Sequence, residues 1–195
     1  MSAPAFSVCV YCGSRPGARA AYLAMAQALG RSIGKRGWRL VYGGGRAGLM
    51  GALADAALAH GAEVVGVIPD SLMKLEVGHT GLTELHVVKT MHERKHLMAE
   101  YADGFVAMPG GIGTFEELFE VWTWRHLGYH HQPMALLEVE GYWQPLLEFL
   151  RRSQGEGFIN AEQMNMLRVA DDVDALLDGL WNDRQHQAGS GLERI

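Results

Sequence analysis

Short apolar runs alternate with longer segments of helical spacing along almost the whole chain. Ser7–Cys12 is short, apolar and partly β-branched, which is typical of a buried strand. Ala18–Arg36 then repeats Ala, Leu and Met at helical intervals and stops at Gly37. The predicted strands span residues 7–12, 38–42, 63–68, 84–88, 104–108, 134–139 and 167–170, and the predicted helices span residues 18–36, 48–60, 91–101, 114–127, 142–156 and 173–181.

This alternation of strands and helices predicts an α/β fold. Crossover connections place parallel strands in one sheet and helices on both of its faces, so we expect a Rossmann-like, doubly wound, mostly parallel sheet. Residues 1–181 are expected to form a single nucleotide-binding domain, because the chain has only 195 residues. Residues 182–195 are polar and are expected to form a frayed C-terminal tail.

Glycine residues cluster where the predicted strands end. The chain has 25 glycines among its 195 residues, well above the usual ~7%. Glycine loops stand at Cys12–Ser14, at Gly43–Gly45 and at Pro109–Thr114, each leading toward a helix N-terminus. Bare amide groups and the helix dipole attract anions at such a position. One loop of this kind is explained by a tight turn, but several at one edge of a sheet favour a phosphorylated ligand.

Two segments match the motifs of other chemistries. Gly43–Gly48 fits the G-x-G-x-x-G pattern of dinucleotide sites, but Asp70 comes too late to be the ribose-binding acid of such a site, so we expect no NAD. His92–His96 fits H-E-x-x-H on a predicted helix. The positive charges of Arg94 and Lys95 oppose a zinc ion there, and the sequence fixes no third ligand. We therefore expect neither a metal nor a cofactor.

Charge and cysteine content narrow the class of protein further. Cys9 and Cys12 lie three positions apart in a strand, so their thiols face opposite sides of the sheet and cannot pair. Two cysteines exclude a disulfide framework, and a reducing cytoplasm is the expected compartment. A net charge of −5 without a basic block argues against nucleic-acid binding. No apolar stretch is long enough for a membrane span.

Two further segments place charged residues beside the glycine loops. The first is Met91–Lys95, which carries Arg94 on a predicted helix, and the second is Pro109–Glu117. Thr114 and Glu117 have the spacing of a capping box, in which case Glu117 only caps a helix. In the functional alternative, Glu117 points into the crevice toward the basic residues of the preceding helix. An arginine and a carboxylate beside a phosphate loop form a reasonable hydrolytic pair.

Several long motifs follow one another in the order of a known family. P-G-G-x-G-T-x-x-E stands at Pro109–Glu117, after M-H-x-R-K at Met91–Lys95. Earlier come V-Y-C-G-S at Val10–Ser14, V-Y-G-G-G-x-x-G-L-M-G at Val41–Gly51 and G-V-I-P at Gly66–Pro69. From residue 8 to residue 169 the chain resembles the Lonely Guy proteins, which are cytokinin-activating nucleoside 5′-monophosphate phosphoribohydrolases often labelled "possible lysine decarboxylase".

The resemblance implies an activity and a set of site residues. The implied reaction is hydrolysis of the N-glycosidic bond of AMP or an N6-substituted AMP, giving the free base and ribose 5-phosphate. Arg94 and Glu117 match the catalytic pair of the family. The matching substrate-binding positions are Gly13, Ser14, Gly43, Gly44, Gly45, Glu76, Arg94, Lys95, Gly110, Gly111, Ile112, Gly113, Thr114, Phe115, Glu116, Glu117 and Thr123.

A second class of function stays open on the same fold. Molybdenum-cofactor carriers resemble this family, so a non-catalytic nucleotide or cofactor carrier is the alternative to a hydrolase. A carrier has no need of Glu117 in the crevice. Within the hydrolase interpretation, the sequence leaves open whether the substrate is a cytokinin nucleotide or AMP. The lysine decarboxylase label does not fit, because Lys95 stands in an Arg-Lys pair that is better suited to anion binding.

The helix predicted over Thr114–Leu127 carries apolar residues on nearly every side. A helix that covers a sheet needs one apolar stripe, so the surplus must cover something else. Burial against Tyr142 and Trp143 is one alternative, and an isologous two-fold interface is the other. The resemblance also implies a dimer with active sites near the subunit interface. We therefore expect a homodimer in which Thr123 lies near the neighbour's pocket.

Overall fold

Strands and helices alternate through residues 4–73 and 77–190, which are the residues that the computed structural model describes. The strands are β1 (Ser7–Tyr11), β2 (Arg39–Tyr42), β3 (Glu63–Pro69), β4 (Glu84–Val88), β5 (Gly104–Ala107), β6 (Met134–Leu137) and β7 (Leu167–Ala170). The helices are α1 (Ala20–Lys35), α2 (Gly48–Ala59), α3 (Met91–Glu100), α4 (Ile112–His126), α5 (Gln144–Gly155), α6 (Ala161–Asn165) and α7 (Val173–Ser190). The predicted α/β class is confirmed.

The strands of the described residues form one parallel sheet in the order β4-β3-β2-β1-β5-β6-β7. The chain builds outward from β1 to β4 and then crosses back to place β5 on the other side of β1. Between β1 and β5 the strand order therefore reverses. In doubly wound sheets a crevice opens at this point, beyond the carboxyl ends of the strands. The glycine loops after β1 and β5 flank it.

Helices cover both faces of the sheet. Buried side chains of α1, α2 and α7 pack on one face, and those of α3, α4 and α5 pack on the other. Side chains along β1 alternate between these layers, so Cys9 lies in the second core and Cys12 in the first. Both thiols are buried and neither forms a disulfide, which confirms that they do not pair with each other.

The structure differs from the sequence-based boundaries at the C-terminal end. The short helix α6 was not predicted, although Asn160 and Gln163 form a capping box at its start. Helix α7 runs to Ser190, so the predicted helix end at Trp181 is wrong.

Two ion pairs connect the longer helix to the rest of the fold. Asp183 lies 2.9 Å from Arg168 of β7, and Arg184 lies 3.5 Å from Asp103 before β5. These contacts tie the polar turns of α7 to the sheet, which a hydrophobic pattern cannot predict. Residues 191–195 lie outside the described part of the chain. None of the helices in the described ranges combines the length and the apolar character that crossing a membrane requires.

Candidate active site

A cavity of about 560 Å³ opens at the carboxyl ends of β1 and β5. The loops at Cys12–Ser14 and Pro109–Thr114 form its rim. Arg94 reaches the cavity from α3, and Glu117 reaches it from α4 on the same face of the sheet. Its lining residues are Cys12, Gly13, Ser14, Arg15, Gly17, Tyr22, Leu49, Met50, Arg94, Pro109, Gly110, Gly111, Ile112, Gly113, Thr114, Glu117 and Tyr142. The structure thus brings together most of the positions that the sequence had singled out.

Gly13 and Gly110 hold the two loops against each other. The Gly13 amide donates a hydrogen bond to the Pro109 carbonyl at 3.1 Å, and the Gly13 carbonyl accepts one from the Leu49 amide at 3.1 Å. A Cβ atom on Gly110 would lie 2.1 Å from the Thr114 hydroxyl oxygen. Glycine is required at Gly110 by this close approach, and the Gly13 amide is already used within the protein.

The N-terminus of α4 faces the cavity with open backbone. Gly111 is the N-cap, in extended conformation, and no side chain caps the helix. A Cβ atom on Gly111 or Gly113 would meet nothing within 4 Å. The first amides of the helix, from Ile112 to Thr114, have no acceptor within the helix itself. Together with the helix dipole they form a region of positive potential that suits a phosphate group.

The predicted capping box at Thr114 and Glu117 is wrong. Helix α4 begins at Ile112, so Thr114 is already inside the first turn, where its side chain is buried. Glu117 lies one turn further along and lines the cavity. Capping therefore does not explain this carboxylate, and its place on the cavity wall has to be explained by another role.

Arg94 is anchored by two backbone carbonyls at the ends of neighbouring strands. Its Nε donates a hydrogen bond to Val67 of β3 at 3.1 Å, and its Nη2 donates one to Gly43 after β2 at 2.9 Å. The side chain is only 6% exposed. The guanidinium group therefore places a positive charge at a fixed position at the base of the cavity.

Gly43–Gly45 does not line the cavity but lies behind Arg94. A Cβ atom on Gly43 would come within 2.1 Å of Arg94 Nη2. The loop itself is buried, and Gly45 forms an antiparallel bridge with Gly78 of the β3–β4 connection. Contact of these glycines with the substrate stays a prediction, because other residues line the cavity described here. The missing side chain of Gly43 makes room for the guanidinium of Arg94.

Arg94 and Glu117 approach each other across the base of the cavity. Arg94 Nη1 lies 3.9 Å from Glu117 Oε1, and the Glu117 side chain is 12% exposed. Beneath them, burial raises the pKa of Tyr11, and the charges of Cys9 and Glu117 add to the shift. Burial likewise raises the pKa of the Cys9 thiol. Both groups are neutral near pH 7, and the guanidinium of Arg94 is the positive charge that the described residues place beside the Glu117 carboxylate.

Lys95 points away from the cavity. Its Nζ pairs with Glu116 and lies 3.0 Å from Glu120 Oε1, both on α4. Burial works against the charge, but the two carboxylates outweigh it and raise the pKa of Lys95. Neither Lys95 nor Glu116 lines the cavity, so their contact with the substrate stays a prediction. They instead tie α3 to α4, next to Arg94 and Glu117 on the same helices.

Two other predicted site residues, Phe115 and Thr123, lie apart from the cavity. The Phe115 ring packs edge-on against Trp143, with centroids 5.9 Å apart. The Thr123 hydroxyl donates a hydrogen bond to the Phe119 carbonyl at 2.7 Å, and Thr123 lines a separate groove on the outer side of α4. Glu76 lies outside the described residues.

Both histidines of the H-E-x-x-H segment are exposed on the surface of α3. His92 is exposed, and His96 Nε2 lies 3.1 Å from Glu100 on the same helix. Across residues 4–73 and 77–190, no three His, Cys, Asp or Glu side chains are placed to hold a metal ion.

Two tyrosines on the cavity wall were missed by the sequence analysis. The rings of Tyr22 and Tyr142 meet edge-on with centroids 5.8 Å apart. The Tyr142 hydroxyl donates a hydrogen bond to the Gly110 carbonyl. Tyr22 stands in the first turn of the helix after a glycine loop, and that position could have indicated it. Tyr142 enters from a distant segment, which no local pattern predicts.

Comparisons with known proteins agree with this fold and cavity. A family model described as "Possible lysine decarboxylase" matches residues 50–180. A cytokinin riboside 5′-monophosphate phosphoribohydrolase of Rhodococcoides fascians is 50% identical over 172 residues, covering 88% of this chain and 87% of that protein. One of Arabidopsis thaliana is 43% identical over 173 residues, covering 89% of this chain and 71% of that protein.

The fold and site define an α/β protein with a crevice at the switch point of its sheet. The chain belongs to the Lonely Guy family.

Solved structures with the same fold include a more distant protein. The molybdenum cofactor binding protein of Rippkaea orientalis superimposes with a TM-score of 0.70 and 20% identity, covering 93% of this chain and 98% of that chain. At that identity the likeness extends to the fold alone.

Proposed function

We propose that the protein hydrolyses the N-glycosidic bond of AMP or an N6-substituted AMP, releasing the free base and ribose 5-phosphate. The observation that carries the proposal is the placement of Arg94 and Glu117 3.9 Å apart at a glycine-lined cavity. The names of the relatives from Rhodococcoides fascians and Arabidopsis thaliana support the same reaction. Both cysteines are buried and form no disulfide, which suits the reducing cytoplasm that we propose as the compartment.

Glu117 is proposed to stabilise the transition state. Cleavage of an N-glycoside passes through an oxocarbenium-like state with positive charge on the sugar. A carboxylate fixed on the cavity wall stabilises that charge and can orient or deprotonate the attacking water. Since Glu117 is only 12% exposed, bulk solvent screens its charge weakly.

Arg94 and the α4 N-terminus are proposed to bind and orient the nucleotide. The amides from Ile112 to Thr114 offer donors to a phosphate without a covering side chain. Arg94 keeps its proton, so it acts on phosphate or ribose oxygens as a donor of hydrogen bonds rather than of a proton. This division leaves Glu117 as the group that exchanges protons with water.

A direct assay tests the proposal against the carrier alternative. The purified protein is incubated with AMP, with isopentenyladenosine monophosphate and with adenosine, and the products are separated by chromatography. We expect free base and ribose 5-phosphate from at least one nucleotide, and much slower release from adenosine, which lacks the phosphate. Release of no base from either nucleotide would refute the hydrolase and favour a carrier.

We further propose that the protein is a homodimer joined through the outer side of α4. Within one protomer, Leu118, Val121 and Trp122 are buried, so part of the apolar surplus of this helix serves the core. Phe119 remains 37% exposed beside a groove of about 160 Å³ that also includes Thr123. Aromatic residues are enriched at interface centres, and an isologous patch would cover this surface in both protomers. Thr123 would then lie at the subunit boundary.

The mass in solution tests the dimer. Light scattering at micromolar concentration is expected to give about twice the chain mass of 21.4 kDa. Phe119→Asp is expected to give the single-chain mass, because a charge would be buried in the interface. Leu23→Asp is the matched control, since Leu23 is also 37% exposed but lies on α1, on the opposite face of the sheet. A wild-type mass near 21.4 kDa, or an unchanged Phe119→Asp dimer, would contradict the proposal.

A further inference from the structure

His79 is a buried histidine that the proposed reaction does not use. It lies in the connection between β3 and β4 and is 4% exposed. Its Nδ1 accepts a hydrogen bond from the Gly81 amide at 3.1 Å. The proton of the neutral ring is therefore on Nε2, which donates to Asp55 Oδ1 at 2.9 Å. The ring thus joins its own loop to helix α2.

The backbone around His79 covers the glycine loop after β2. The His79 amide donates a hydrogen bond to the Gly44 carbonyl at 2.9 Å, and the Arg46 amide donates one to the Val77 carbonyl at 3.0 Å. Gly45 and Gly78 form an antiparallel bridge between these two contacts. Residues 77–79 therefore form a short antiparallel ladder with residues 44–46.

This ladder is connected to Arg94 through Gly43, which precedes residue 44 and accepts a hydrogen bond from the guanidinium. The guanidinium has one anchor on the sheet, the Val67 carbonyl, and a second on the glycine loop, the Gly43 carbonyl. The Val67 anchor belongs to a central strand and is fixed by the sheet. The position of the Gly43 carbonyl instead depends on the conformation of the loop after β2.

We propose that His79 is a positioning residue for Arg94. Its bond to Asp55 locks residues 77–81 onto the Gly43–Arg46 loop, and the loop in turn sets the carbonyl that directs the guanidinium toward Glu117. The effect on turnover rests on the proposed hydrolase function, whereas the effect on the guanidinium does not. Both His79→Ala and Asp55→Ala break the same bond. Asp55 is 60% exposed, so its replacement spares the core.

The first readout is the arginine side-chain nitrogen spectrum, which is independent of activity. Arg94 signals are identified by their absence in Arg94→Lys. We expect resolved, slowly exchanging signals in the wild type, and broadened, rapidly exchanging signals in His79→Ala and Asp55→Ala. His79→Gln keeps a donor toward Asp55 and is expected to retain the wild-type signals. His86→Ala is the matched control, because His86 also pairs with a carboxylate, Glu84 at 3.2 Å, but on edge strand β4.

The second readout is turnover of the nucleotide that the wild type accepts. We expect His79→Ala and Asp55→Ala to lower kcat/KM by about tenfold or more, with a folded fraction equal to that of the wild type. The double variant should be no worse than either single one, because both remove one shared bond. Wild-type Arg94 signals in folded His79→Ala or Asp55→Ala would overturn the proposal, whatever the turnover. A wild type without turnover would instead refute the hydrolase, and the spectrum would still decide the role of His79.

Discussion

Replacing Glu117 by glutamine is expected to lower kcat by about 10²-fold or more while the protein stays folded. Glutamine keeps the size of the side chain and removes the negative charge. The loss follows because an amide neither stabilises an oxocarbenium-like sugar nor accepts a proton from water. The measurement is steady-state release of free base from the accepted nucleotide, together with thermal unfolding.

The cost in stability is expected to be small. The pair that is lost spans 3.9 Å, and Arg94 keeps both of its carbonyl acceptors. We expect the free energy of unfolding to fall by no more than about 1 kcal/mol. Loss of turnover with a preserved unfolding transition would therefore separate a catalytic role from a structural one.

Glu120→Gln is the matched control for this variant. Glu120 stands one turn further along α4, and its Oε1 faces Lys95 rather than the cavity. It changes the same charge on the same helix, so its turnover should stay close to the wild-type rate. If Glu117→Gln kept wild-type turnover, or if both variants lost turnover equally, the role assigned to Glu117 would be wrong.

The fold could be predicted because its determinants are local and repetitive. Strands such as Val64–Val67 are apolar throughout, as expected for a sheet covered on both faces, and glycine or proline marks many of their ends. The C-terminal part of α7 could not be predicted in the same way. Its polar turns contact the rest of the fold through ion pairs such as Arg184–Asp103, whose partners are distant in sequence.

The candidate site was predicted most completely where one segment contributes several of its parts. Gly110–Glu117 supplies a glycine loop, a helix N-terminus and a carboxylate in one stretch, so its chemistry is visible in the sequence. The hydrogen-bond partners of Arg94 could not be predicted in this way, because its acceptors come from the ends of two other strands. The environment of Lys95 could not be predicted either. An Arg-Lys pair suggests that both side chains bind one anion, but adjacent residues on a helix point in different directions.

Gly43→Ala is expected to abolish most activity because it displaces the guanidinium of Arg94. The added Cβ atom would lie 2.1 Å from Arg94 Nη2 and 3.2 Å from its Cζ. The backbone of Gly43 is outside the left-handed region, so alanine can adopt it. The flexible end of the arginine must therefore give way, and the guanidinium loses its place beside Glu117. We expect kcat/KM to fall by about 10²-fold, and stability to fall by about 1–2 kcal/mol for the lost hydrogen bond of a charged group.

Two other glycines make this result specific. Gly155→Ala in α5 meets nothing within 4 Å, and it should leave turnover unchanged and raise stability by up to about 1 kcal/mol. Gly48→Ala should instead fail in folding, because Gly48 has φ +61° and its Cβ would lie 2.4 Å from the Ser14 backbone. Gly43→Ala is expected to resemble neither control, since it should fold but turn over poorly. A Gly43→Ala variant with wild-type kcat/KM would mean that the guanidinium acts equally well from a displaced position, and the orienting role of Arg94 would have to be abandoned.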